Sequence, residues 1–105
     1  MTDQQYKVVW AQHARVALAK MKKFRIDSNK VFRRSKTILS KNPVEESCGI
    51  SDFPGFDFNG YYWVLIHNVV VVYAISNNEV QVDACFFANS GKSAQIFWGI
   101  EPEDE

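Results

Sequence analysis

Two cysteines, three prolines and five glycines in 105 residues leave this chain few of the devices that staple or interrupt small proteins. Cys48 and Cys85 lie too far apart for a CxxC unit. His13 and His67 complete no zinc spacing with them, so the sequence offers no metal pattern and reads as carrying two reduced thiols. No stretch approaches the roughly 18–20 apolar residues of a membrane span. The opening Met1-Thr2-Asp3-Gln4-Gln5 is polar and lacks the hydrophobic region of a signal peptide, so a cytoplasmic protein with no membrane partner is expected. Gly91-Lys92-Ser93 lacks the upstream glycine of a phosphate-binding loop, and no cofactor is implied. Repeats and low-complexity runs are absent too, apart from a short acidic end.

What is present is apolar and aromatic: 47 % hydrophobic and 14 % aromatic residues are enough for one packed core. A single domain over residues 1–105 is expected, with residues 90–105 as a C-terminal extension ending in an acidic tail. A chain this short buries only ~65 % of its unfolded surface, so a homodimer or a complex with another protein would support it.

The net charge of zero hides a division. Residues 1–44 hold eleven of the twelve cations against two acids, Asp3 and Asp27, a balance of +9. Residues 45–105 hold Lys92 against ten acids, a balance of −9. Such asymmetry points to an acidic partner or to nucleic acid for the basic half.

Tyr6, Val8 and Trp10 alternate as one face of a first strand. Ala14, Ala17, Leu18, Met21 and Phe24 recur at helical spacing, which predicts an amphipathic helix over residues 12–24. Asp27 or Ser28 caps a second helix whose stripe is Val31, Phe32, Ser35, Ile38 and Leu39, closed by Asn42-Pro43. About three residues join the two, predicting an antiparallel helix hairpin. Residues 44–59 read as a loop with one extended piece at Phe56-Asp57-Phe58. Three strands follow over residues 61–66, 69–75 and 80–87, with turns at His67-Asn68 and Asn77-Asn78. In the last, Val80, Val82, Ala84 and Phe86 alternate against Gln81, Asp83, Cys85 and Phe87. The fold class expected is α+β: a strand, a helix hairpin, then a three-stranded antiparallel meander forming one sheet packed on the helices. The central strands lack a polar face, so something beyond the helices must cover them. Gly91-Lys92-Ser93 reads as flexible. Ile96, Phe97, Trp98 and Ile100 either pack on the uncovered face, the reading favoured here, or anchor a partner.

This order of elements resembles the RelE/ParE superfamily of bacterial type II toxins. Its carriers are Tyr6-Lys7-Val8-Val9-Trp10 before an Ala-rich helix, a second helix closing on Asn42-Pro43, Gly60-Tyr61-Tyr62 opening a strand, Val70-Val71-Val72-Tyr73-Ala74-Ile75, an Asn-Asn turn, and Val80-Gln81-Val82-Asp83-Ala84-Cys85. The resemblance implies the toxin of a plasmid-stabilisation-like module. Such a toxin pairs with a cognate antitoxin and acts on DNA gyrase or on mRNA at the ribosome. Family members commonly carry Arg where this chain has Val70 and basic residues where it has Trp63 and Leu65, and ribonuclease members carry Arg, His or Tyr where it runs Phe86-Phe87-Ala88-Asn89. RNA cleavage needs a base, an acid and phosphate-binding cations. A ParE-like contact inhibitor is therefore expected over an endoribonuclease, with an interaction module lacking toxicity as a third reading.

The candidate antitoxin-binding residues are Arg15, Lys22, Arg33, Arg34 and Trp98. Were the chain an mRNA interferase, the catalytic candidates would be His67, Tyr61 and Lys92. The basic helices otherwise form a solvated face, or meet phosphates without sequence readout. Tyr73 reads as a core tyrosine with its hydroxyl at the rim. The run from Glu101 to Glu105 is expected to shield the basic face when the partner is absent.

Overall fold

A computed structural model describes residues 5–99; Ile100 and the acidic run expected to act as a shield lie outside the described residues. The helix pair begins at Gln12–Lys20 (α1), after strand β1 at Lys7–Trp10. The expected helix to Phe24 does not continue as α-helix. Its last turn tightens into a 3-10 helix at Met21–Phe24, closed by Arg25 in the left-handed conformation (φ 65°). This tightening buries Met21 and Ile26 and stacks Phe24 on Phe87, ring centroids 4.2 Å apart. The connection is thus seven residues, Met21 to Asp27, rather than three. The Asp27 carboxylate accepts from the Lys30 N–H at 3.2 Å and caps α2, Ser28–Leu39, whose Val31, Ser35 and Leu39 are buried.

The three-stranded meander is overturned as the description of the sheet. The sheet has five strands in the order β1-β5-β4-β3-β2 and is mixed. Besides β3 (Tyr62–Ile66), β4 (Val69–Ser76) and β5 (Glu79–Phe87), it takes in β1, which lies parallel to β5 with Val8 opposite Val80. Burial of Val8 and Trp10 explains the addition, since β1 closes an edge of β5 that would otherwise be unpaired. At the other edge, Gly49–Ile50 (β2) pairs antiparallel with Trp63 and Tyr62. The extended piece lies here; Asp57 and Phe58 are in turns instead.

Strand β5 also departs from strict alternation. Val72 opposes Ala84 while Tyr73 opposes Val82, so Asp83 is an extra, bulged residue. Val80, Val82 and Cys85 consequently face the helices with Val69, Val71 and Tyr73, while Ala84 and Phe86 turn to the second face with Val70 and Val72. His67 (φ 47°) and Asn68 (φ 67°) both adopt the left-handed conformation that the tight β3–β4 hairpin requires.

The second face is covered within the described residues by a third helix, where a flexible stretch was expected. Ser90 accepts from the Ser93 N–H at 3.1 Å and caps Gly91–Trp98 (α3). The buried Ser93 hydroxyl donates to the Phe87 carbonyl at 2.8 Å, tying the helix to the end of β5. Phe97 then packs on Trp63, Phe56 and Phe86, so this part of the tail packs within the domain.

Tyr73 is fully buried, and its hydroxyl is not at the rim: it donates to the Pro43 carbonyl at 2.5 Å. Burial also raises the Cys85 thiol to about 12, while that thiol donates to the Ala14 carbonyl at 3.5 Å. Tyr73 is raised above its ordinary value, again chiefly by burial. Both groups hold a proton more tightly folded than unfolded. Their contribution is complete below the unfolded thiol's value near 9 and is lost as pH rises through 10 and beyond. Chemical denaturation should show stability falling above pH 9 by about 1.4 kcal/mol per pH unit for each titrating group. Cys85→Ala should flatten the first part of that decline; an unchanged slope would contradict this origin.

Candidate functional site

Eight of the chain's twelve cations lie on the helix pair and the 3-10 turn between them: Arg15, Lys20, Lys22, Lys23, Lys30, Arg33, Arg34 and Lys36. Lys30, Arg33, Arg34 and Thr37 follow one another at i+3 and i+4 spacing, which places them along one face of α2. With His67 from the β3–β4 turn they line an open depression of about 470 Å³. The meeting is fixed by the hairpin: the left-handed turn projects His67 from the sheet end towards the helix. Three permanent cations and an imidazole line this depression, and among the described residues no carboxylate does.

Arg15, on α1, lies outside this depression. Its guanidinium lies 5.1 Å from the centre of the Phe32 ring, and the Lys36 ammonium lies 4.8 Å from it. Phe32 in turn packs against Trp10 at 5.7 Å, so a core aromatic extends outward and carries two cations. Trp10 is held by its indole N–H, which donates to the Ser35 hydroxyl at 3.0 Å. Lys22 lies on the exposed 3-10 helix. Arg15, Lys22, Arg33 and Arg34 therefore all belong to the basic helical layer. Trp98 does not: it is on α3, against Trp63 and Phe97 at 5.6 and 6.3 Å, over the second face of the sheet. A partner contacting all five would have to reach both layers.

The three catalytic candidates are not brought together. His67 lies beside α2. Tyr61 packs on the second face, where burial and then a hydrogen bond and the charge of Asp83 hold its phenol above the ordinary value. A phenol kept protonated is a hydrogen-bond donor rather than a base. The Lys92 ammonium sits 5.6 Å from the centre of the Phe86 ring. Val70 is fully buried in the apolar cluster of the second face with Trp63 and Phe86, so three of the positions where family members carry polar or cationic groups are here part of a core, while Leu65 is exposed and Phe87 packs on the helix side. Among the described residues no group of three or more His, Cys, Asp or Glu is placed to hold a metal ion, and no helix is long and apolar enough to cross a membrane.

A second concavity lies over that apolar face. Its wall is the loop before β3, held in shape by Asn59, which accepts from the Phe53 N–H and donates to the Phe53 carbonyl, both at 2.7 Å. Ser51 adds a hydrogen bond from its hydroxyl to the Phe58 carbonyl at 2.5 Å. Phe56 and Phe58 are thereby fixed opposite Phe86 and Ile96, enclosing about 300 Å³. Sequence reasoning missed this site. Its signal in the sequence is the aromatic spacing Phe53, Phe56, Phe58, which reads there as an extended piece although Asp57 and Phe58 lie in turns.

No family model, curated protein or solved structure matches the chain.

Proposed function

We propose that the chain is the toxin of a type II toxin–antitoxin module, neutralised by a cognate antitoxin and acting by contact, as ParE-like inhibitors do, rather than by cutting RNA. The residues that resemble the RelE/ParE superfamily motivate the reading. The observation that carries it is the separation of the two layers: cations crowd the outer helical face, while Val70 and Phe86 pack in the apolar second face of the sheet. Cations aligned on α2 suit an acidic antitoxin segment. The short, two-residue edge strand β2 leaves most of β3 open for strand addition by the same partner.

The ribonuclease reading has one foothold, His67 beside Lys30, Arg33 and Arg34, which combines a proton-transfer group with phosphate-binding cations. Induced expression in bacteria tests the proposal. Growth should stop, co-expression of a small neighbouring reading frame should restore it, and mRNA should remain intact by primer extension while a DNA-damage response is induced. Ribosome-dependent cuts would replace contact inhibition by cleavage. Unimpaired growth would remove the toxin reading altogether and leave an interaction module.

A further inference from the structure

The geometry points to the concavity between the loop before β3 and α3 as a binding site for a small aromatic zwitterion, of the chemical class of a free aromatic amino acid. The cavity, at about 300 Å³, lies at the lower end of the range for small-molecule sites. Its apolar lining comes from Phe56, Phe58, Phe86 and Ile96, and Gln95 joins Asp57 and Lys92 in its polar part. Phe56 already packs against Phe58, Phe86 and Phe97 with ring centroids 5.7 Å apart, so the wall is preformed rather than collapsed around solvent. A planar ring inserted there would extend the same tilted and edge-on packing.

The polar groups decide the rest. Lys92 and Asp57 both line the cavity and both are exposed, and no ion pair joins them among the described residues. A ligand bearing only a carboxylate would meet Lys92 favourably but Asp57 unfavourably. One bearing only an ammonium would meet the reverse. The proposed ligand, with a ring at one end and both charges at the other, would set its ring against the phenylalanine wall and offer its carboxylate to Lys92 and its ammonium to Asp57. The cavity is on the opposite side of the sheet from the α2 depression, so occupancy does not depend on the basic face.

Titration of the full chain by two-dimensional NMR tests this with three probes: L-phenylalanine, 3-phenylpropionate and phenethylamine. L-phenylalanine should bind three- to fivefold more tightly than either singly charged analogue, the range of about 0.6–1 kcal/mol that one partly exposed ion pair supplies. Its shifts should centre on residues 53–58, 86 and 92–96. Lys92→Gln should abolish the margin over phenethylamine only, and Asp57→Asn the margin over 3-phenylpropionate only. Both side chains are exposed, and an unchanged spectrum of each free variant confirms that it folds. Equal binding of the three probes, shifts centred elsewhere, or no shifts at any soluble concentration would overturn the assignment.

Discussion

Tyr73→Ala should destabilise the protein by about 3–5 kcal/mol, the cost of truncating a fully buried aromatic side chain. Three roles converge on this residue. Its ring fills the helix-side core beside Val71 and Val82, it stacks on Tyr62 at 5.8 Å, and its hydroxyl binds the Pro43 carbonyl. Pro43 is itself fully buried just after α2, so the hydrogen bond ties the end of the helix layer to the middle of the sheet. Domains of this size commonly have only 5–15 kcal/mol in total, so the variant should be marginal at 37 °C. Tyr73→Phe isolates the hydroxyl. It leaves the ring in place but strands a buried carbonyl, and should cost about 1–3 kcal/mol. Urea denaturation of the two variants measures both numbers. A loss under 1 kcal/mol for the alanine variant would mean that Tyr73 is not a keystone of this interface.

The elements that were legible carry a local signature. The Asp27 cap and the stripe Val31, Ser35, Leu39 announce α2, and the apolar run ending at Tyr73-Ala74-Ile75 announces a buried strand. What sequence does not encode locally is which strands become neighbours. The alternation of Tyr6, Val8 and Trp10 identifies a face, but nothing in it says that the partner is β5, some seventy positions away, or that the pairing is parallel. The bulge at Asp83 is equally silent. No glycine marks it, and its effect is to divide Val80 and Val82 from Ala84 and Phe86 after an apparently regular alternation. Helix α3 has only eight residues, about two turns, too few for a periodic signal to outweigh Gly91 at its start. Ser90 capping Ser93 is its one local mark.

The candidate sites follow the same rule. Lys30, Arg33 and Arg34 are visible as a basic helix face, because their spacing is helical. That His67 joins them depends on a hairpin turn thirty residues away and on the sheet's position under α2. Lys92, Tyr61 and His67 are chemically suitable side chains in sequence, yet the fold distributes them over different surroundings. The second-face cavity depends on β5, α3 and the Asn59-braced loop meeting, three segments with no shared motif.

Reversing Arg33 and Arg34 to Glu together should weaken capture of the proposed acidic antitoxin by on the order of 100-fold, if each reversed charge costs roughly 1–2 kcal/mol at a partner's carboxylates. Both residues line the open depression on α2 and are exposed, so the double variant should fold normally. The loss should also depend on salt. At low ionic strength the wild-type association is steered by the whole basic layer, and replacing two cations by two acids removes much of that field; near 1 M salt, with a screening length of about 3 Å, the two proteins should differ far less. Lys7→Glu, at an exposed position of β1, provides the comparison: it changes the net charge in the same sense but outside the depression and outside the candidate binding residues. If affinity tracks net charge alone, Lys7→Glu should lose about half as much on a logarithmic scale as the double reversal, whereas a dock on α2 makes its loss much smaller. Isothermal titration against the protein encoded by the neighbouring reading frame separates these outcomes. Unchanged affinity in the double variant would place the antitoxin elsewhere on the molecule, with the aromatic surface around Trp98 the next to be tested.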